Sequence, residues 1–179
     1  MTMQSQSIPL VPASKFSMDE LAAFFNETRA DYLVPMPMSS VRMEEYIRDY
    51  DVDLKRSVIA MRAGRVMGLG MMGLRDQKAW ITRLGVMPLV RRRGIGEAMV
   101  ASLMNTARFL DVEKIYAEVI IGNHAAHALL QKHGFVDGKE YLILRRPPSQ
   151  IIDSPNGKAR WLEKEEALSY LQEAKGESW

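Results

Sequence analysis

The stretch Leu84-Gly85-Val86-Met87-Pro88-Leu89-Val90-Arg91-Arg92-Arg93-Gly94-Ile95-Gly96 constrains the fold more than any other part of the chain. It reads as an apolar strand, a basic turn carrying Gly-x-Gly, and the start of a helix. Apolar residues at Ile95, Met99, Leu103, Ala107 and Leu110 recur at helical spacing, so one face of that helix packs on a core. A helix start leaves backbone N–H groups without partners and is the positive end of the helix dipole. Gly94 and Gly96 stand there without a Cβ, so a bulky anion reaches those groups, and a side chain at Gly96 is expected to fill the anion's space. Arg91, Arg92 and Arg93 add positive charge at the same place. The ligand this implies is a pyrophosphate, cradled by the run Arg91, Arg92, Arg93, Gly94, Ile95 and Gly96.

Two familiar nucleotide loops do not fit. The dinucleotide fingerprint needs a third glycine where Met99 stands, and its glycines follow the strand directly, whereas Pro88 to Arg93 intervene here. The Walker loop needs Gly-Lys-Ser/Thr, which is absent. Downstream, Lys114-Ile115-Tyr116-Ala117-Glu118-Val119-Ile120-Ile121 is rich in β-branched residues and predicts a strand. Asn123 then caps a short helix that Gly134 ends.

Together these segments resemble the GCN5-related N-acetyltransferases (the GNAT family). Arg91, Gly94 and Gly96 fill the family's Arg/Gln-x-x-Gly-x-Gly/Ala. The run Asn123 to Phe135 is similar to its Asn-x-x-Ala-x-x-Leu-Tyr-x-x-x-Gly-Phe at Asn123, Ala126, Leu129, Gly134 and Phe135. The likeness spans Trp80 to Arg145. It implies an α/β fold: a mixed, mostly antiparallel central sheet with a splayed parallel strand pair, flanked by helices. It implies acetyl-CoA as cosubstrate, its pantetheine arm bonded to the main chain of Leu84 and Val86. The thioester would lie near Glu118 and Asn123. The acceptor would enter from the other side, past the loop Asp31 to Met38 and its Tyr32.

The activity implied is acetyl transfer from acetyl-CoA to the amine of a small molecule or a peptide N-terminus, by direct attack. An amine must be neutral to attack, so a base is useful. Ala117-Glu118-Val119 resembles the Leu-Glu-Val of ribosomal-protein N-terminal acetyltransferases, in which that glutamate is the proposed base; the alternative is an outward residue of an alternating strand. One departure bears on the acid. The family commonly has tyrosine after the helix leucine, and this chain has Leu130. Tyr32, Tyr141 and His127 are the donors left. The departure keeps a second class open, a non-catalytic acyl-CoA-binding module that regulates a partner.

Other features narrow the class further. At 179 residues the chain supports one well-buried core. It has no cysteine, which removes disulfides, thiolate metal sites and a cysteine nucleophile, and suits a cytoplasmic setting. No apolar run reaches spanning length and Met1 to Ser7 is not a signal peptide, so no membrane role is expected. A net charge of +2 is too small to argue for nucleic acid. His124, His127 and His133 read as surface or helix-end residues rather than metal ligands.

Punctuation sets the remaining order. Ile8 to Val11 is a short strand; Ser17 and Glu20 form a capping box for a helix to about Ala30. Ser39 or Ser40 caps a second helix. Arg56 to Met61 and Arg65 to Leu74 pair across Ala63-Gly64, and Ala79 to Met87 follows. The expected acetyltransferase domain is 1–147. Residues 148–179 form an extension of a turn and a helix, in which Trp161, Leu168 and Leu171 could anchor on the domain or on a second copy, leaving a homodimer open.

Overall fold

Residues 8–140 and Ser169 are described in the structure, a computed structural model. The chain divides into two compact units, Met1–Asp137 and Gly138–Trp179. The first holds β1 (Leu10–Pro12), α1 (Met18–Thr28), α2 (Ser40–Asp49), β2 (Val58–Arg62), β3 (Arg65–Arg75), β4 (Lys78–Val86), α3 (Ile95–Phe109), β5 (Lys114–Ala117) and α4 (His124–Lys132). The expected boundary at 147, Tyr141 and the turn and helix of the extension lie outside the described residues, Ser169 excepted.

The five strands lie in the order β1-β2-β3-β4-β5. Neighbours are antiparallel except β4 and β5, which run parallel because α3 connects them. This is the mixed, mostly antiparallel sheet flanked by helices that the sequence predicts.

Local chemistry sets the elements. The Ser17 hydroxyl accepts from the Glu20 amide at 3.3 Å while the Glu20 carboxylate accepts from the Ser17 amide at 2.8 Å, a closed capping box. Ser39 caps α2 in the same way, accepting from the Arg42 amide at 3.3 Å. Ala63 and Gly64, at φ +48° and +74°, make the two-residue turn between β2 and β3. α4 ends where Gly134 turns left-handed, at φ +86°. The amides of Gly134 and Phe135 then reach back to Gln131 and Leu130, and Phe135 packs on the same core as Leu130.

Each face of the sheet buries its own apolar layer. Ile81, Ile95, Met99, Val100, Leu103 and Leu130 belong to the layer under α3 and α4. Leu21, Phe25, Met43, Ile59, Leu69 and Met71 belong to the layer under α1 and α2. Along β3 the successive residues Met71 and Met72 enter opposite layers, as strand alternation requires.

β4 breaks this regularity. Its register on β3 shifts so that Arg83 and Leu84 stand against Gly70 alone, and Arg83 takes φ +49°. Such a bulge bends the strand and sharpens its twist. β5 is accordingly shorter than the predicted Lys114 to Ile121. Its pairing with β4 ends at Ile81↔Ala117, so Glu118 to Ile121 do not continue the ladder.

Beyond the bulge, β4 passes directly beneath the end of α1. A Cβ at Gly85 would overlap Thr28, which is 2% exposed and donates its hydroxyl to the Phe25 carbonyl at 2.8 Å. Gly85→Ala should therefore cost about 1–3 kcal/mol of stability through overpacking. Gly64→Asn should shift stability by no more than about 0.5 kcal/mol, since nothing lies within 4 Å of that Cβ and Asn tolerates a left-handed backbone. Paired denaturant melts compare the two.

Candidate active site

β4 stays paired with β3 as far as Val86, whereas its pairing with β5 stops at Ile81. Thr82 to Val86 thus form a strand segment with no neighbour on the β5 side among the described residues, and Leu84 and Val86 lie on it. At its far end the chain turns through Arg92, at φ +62°, and Gly94, at φ +77°, into α3. Gly94 is the N-cap of α3 and gives it no side-chain cap. The first-turn N–H groups have no intrahelical acceptor by geometry, and left-handed residues just before them fold the backbone into a concavity that suits an anion. A Cβ at Gly94 would meet nothing within 4 Å, so the mouth of this concavity is open.

Two expectations about the loop need correction. Gly96 does not face open space: its Cβ would stand 3.2 Å from Leu129 on α4 and 3.6 Å from Val86. Its missing side chain lets α4 come close to α3. Arg91 is not free to meet an anion through its side chain. It donates to both carboxylate oxygens of Asp31 at 2.7 and 2.8 Å, to the Thr28 carbonyl at 3.1 Å and to the Val86 carbonyl at 3.1 Å. A fork of planar donors suits this task, and it ties the turn after β4 to the end of α1. Arg93 lines, with Ile95, a hollow of about 320 Å³ toward β2 and β3, beside Met61 and Met67. Arg92 is exposed.

Asn123 and Tyr32, far apart in sequence, meet. The Asn123 side chain accepts from the Ala126 amide at 3.2 Å, capping α4, and donates to the Tyr32 hydroxyl at 3.3 Å. Glu118 follows β5 directly and is exposed. Leu130 is 6% exposed within the core, so a tyrosine there would have to displace packed side chains. His127 is held by Asp137 at 2.7 Å.

Sequence reasoning passed over Arg29, Tyr46, Thr82 and Arg83. Arg29, at the C-cap of α1, lies 4.5 Å from the Phe25 ring centre and 4.3 Å from that of Tyr32. Arg83 lies 5.0 Å from the Phe25 ring and 3.7 Å from the Tyr46 ring. The hydroxyls of Tyr46 and Thr82 are hydrogen-bonded. Thr82 and Arg83 are adjacent in the strand yet both meet the α1–α2 side, because the bulge cancels the alternation. Burial lowers the pKa of both arginines and pushes the Tyr46 phenol up, with Glu118 acting electrostatically on Arg83 and Tyr46. One signal was available: Phe25, Arg29 and Tyr32 are spaced by four and three residues, one side of a helix and its exit.

The model of the acetyltransferase (GNAT) family matches residues 21–135, and the chain belongs to that family. Search of curated proteins gives no match. Among solved structures, the chain is similar to the ribosomal-protein-alanine N-acetyltransferase of Brucella melitensis, at 21% identity and a TM-score of 0.58 over 71% of this chain and 83% of that one. It is similar to an N-acetyltransferase of Staphylococcus aureus at 17% identity and 0.58, over 71% and 82%. For glucosamine-6-phosphate N-acetyltransferase of Arabidopsis thaliana the values are 14% and 0.56, over 78% and 99%. At these identities the shared property is the fold.

The Arg91–Asp31 tie predicts a pH effect. Hydrogen bonds from Arg91 hold the Asp31 carboxyl below its usual value. A lowered folded-state pKa gives stability that is present above the unfolded pKa of about 3.9 and is lost as pH falls through the folded one. The difference in melting temperature between wild type and Asp31→Asn should be small, full above about pH 5, and should close as pH falls through the lowered folded-state value.

Proposed function

We propose that the chain is an N-acetyltransferase that moves the acetyl group of acetyl-CoA to an amine of a small molecule or peptide N-terminus by direct attack. The observation supporting this best is the open fork of β4 and β5 leading to the uncapped start of α3. An extended chain ending in a pyrophosphate matches both parts: a free strand edge for its amides and a backbone concavity for its phosphates. In this reading Leu84 and Val86 offer main-chain groups to the pantetheine arm. The amides of Arg92, Arg93, Gly94, Ile95 and Gly96 meet the pyrophosphate, and Arg92 adds long-range charge. Arg91 contributes by holding the loop to α1.

Acetyl-CoA supplies an acyl carbon activated by a thiol leaving group. Glu118 is the base that takes the proton from the acceptor amine, directly or through water. Asn123 orients Tyr32, whose hydroxyl is the donor for the departing sulfur in place of the tyrosine that Leu130 lacks. Thiolate leaves tolerably without help, because a free thiol titrates near about 8.5. Tyr32→Phe should therefore lower turnover modestly, by about 10-fold, against about 100-fold for Glu118→Gln, each with little change in CoA affinity.

The primary test is release of CoA thiol from acetyl-CoA across a panel of amines. Release dependent on an amine supports the enzyme. CoA binding without release under any amine supports the regulatory module instead. Calorimetry on Arg92→Glu should show CoA binding weakened by about 10-fold or more, since the charge change at an exposed site leaves packing intact. Unchanged affinity removes the α3 loop from the site.

A further inference from the structure

We propose that the acceptor of this enzyme bears a carboxylate or a phosphate besides its amine, and that Arg29 and Arg83 bind that anion. The inference rests on the acetyltransferase reading above and adds the chemical class of the acceptor.

The two guanidinium groups flank one ring, Phe25, at 4.5 and 5.0 Å, and each has a second ring, Tyr32 for Arg29 and Tyr46 for Arg83. The ring faces hold these groups without neutralising them, and the Tyr32 side chain also hydrogen-bonds to Arg29. The Nε of Arg29 and the Nε of Arg83 are both buried without a hydrogen-bond partner. Among the described residues neither arginine forms an ion pair, whereas Arg48, Arg56, Arg75 and Arg91 each do. Arginine keeps its charge under all ordinary conditions, and a half-buried cation without a counter-ion is costly. Here two such cations stand together and repel. Glu118, the acid that acts electrostatically on Arg83, is exposed, and Tyr32 offsets part of the burial of Arg29.

Position gives the arrangement its meaning. Arg83 is on the bulge of β4, within the free segment; Arg29 leads into Tyr32, which meets Asn123. An acceptor between the α1–α2 side and the fork would put its amine toward Glu118 and its anion on the arginines. Planar donors receive a carboxylate or a phosphate in pairs. The same positive field disfavours an ammonium ion and so favours the neutral amine that attacks. Polyamines and lysine-rich segments are the acceptors this cleft rejects.

The test compares matched amines at equal concentrations of unprotonated amine: alanine against alaninamide for the carboxylate, and glucosamine 6-phosphate against glucosamine for the phosphate. CoA release is measured with acetyl-CoA, and binding of the same four compounds by calorimetry without it. In at least one arm the anionic member should lead by about 10-fold or more in kcat/KM and in affinity. Arg29→Gln and Arg83→Gln should bring that ratio toward one, and Arg83→Lys should keep part of it; circular dichroism checks that each variant is folded. If CoA is never released but the anionic members bind tighter in an arginine-dependent way, the anion site stands and the enzymatic reading falls. If transfer occurs with no anionic preference, or with one that survives both Gln variants, the anion site is overturned and the enzymatic reading stands. Absence of anionic preference in both transfer and binding also overturns it.

Discussion

One irregular strand organises this molecule. β4 keeps its antiparallel neighbour to the end and loses its parallel one halfway. The divergence coincides with the extra residue at Arg83, held in a left-handed conformation that a side-chain-bearing residue adopts only at a cost. The surrounding packing holds it there: Arg83 is fixed between rings on one side, while Leu84 joins the core on the other. The bulge thus coincides with the opening of the fork and turns a cation toward the α1–α2 side in a single step.

The layers on either side of the sheet hold different parts of the site. α3 and α4 belong to one apolar core and bring the uncapped loop before α3 and Asn123. α1 belongs to the other and brings Arg29 and Tyr32. The two halves are joined across the sheet edge by polar bonds, Arg91 to Asp31 and Asn123 to Tyr32. The exposed Arg91–Asp31 pair adds little stability of its own, so its main effect is geometric: it fixes where the end of α1 lies relative to the turn after β4.

Legibility from sequence followed the range of the interactions involved. Caps, the Ala63-Gly64 turn and the Gly134 stop depend on neighbours a few residues away, and they were readable. So was the Gly-x-Gly start of α3. The roles within that loop were not. Whether Gly96 faces a ligand or α4 depends on Leu129, more than thirty residues on. Whether Arg91 points outward depends on Asp31, from another element. Arg83 was hidden for a similar reason. Alternation along Ala79 to Met87 gives no sign of an extra residue, because a bulge is a property of two strands in register. The premature end of β5 is equally invisible, since the β-branched composition of Val119 to Ile121 is unchanged by the loss of a partner.

The contact between Gly96 and Leu129 has a consequence for how such a chain can vary. A hydrogen atom on one helix and a leucine methyl on the next set the distance between α3 and α4. Lengthening the side chain at 96 requires the Leu129 methyl to give by a few tenths of an ångström, so the two positions are coupled. Alanine at 96 is accommodated with valine or alanine at 129; with leucine retained, either the Leu129 side chain turns aside or α4 shifts and takes Asn123 with it. A conservative-looking replacement in a glycine-rich turn would then be felt first at a side chain of a neighbouring helix. Drift at these two sites is constrained jointly, even though neither is polar and they belong to separate helices.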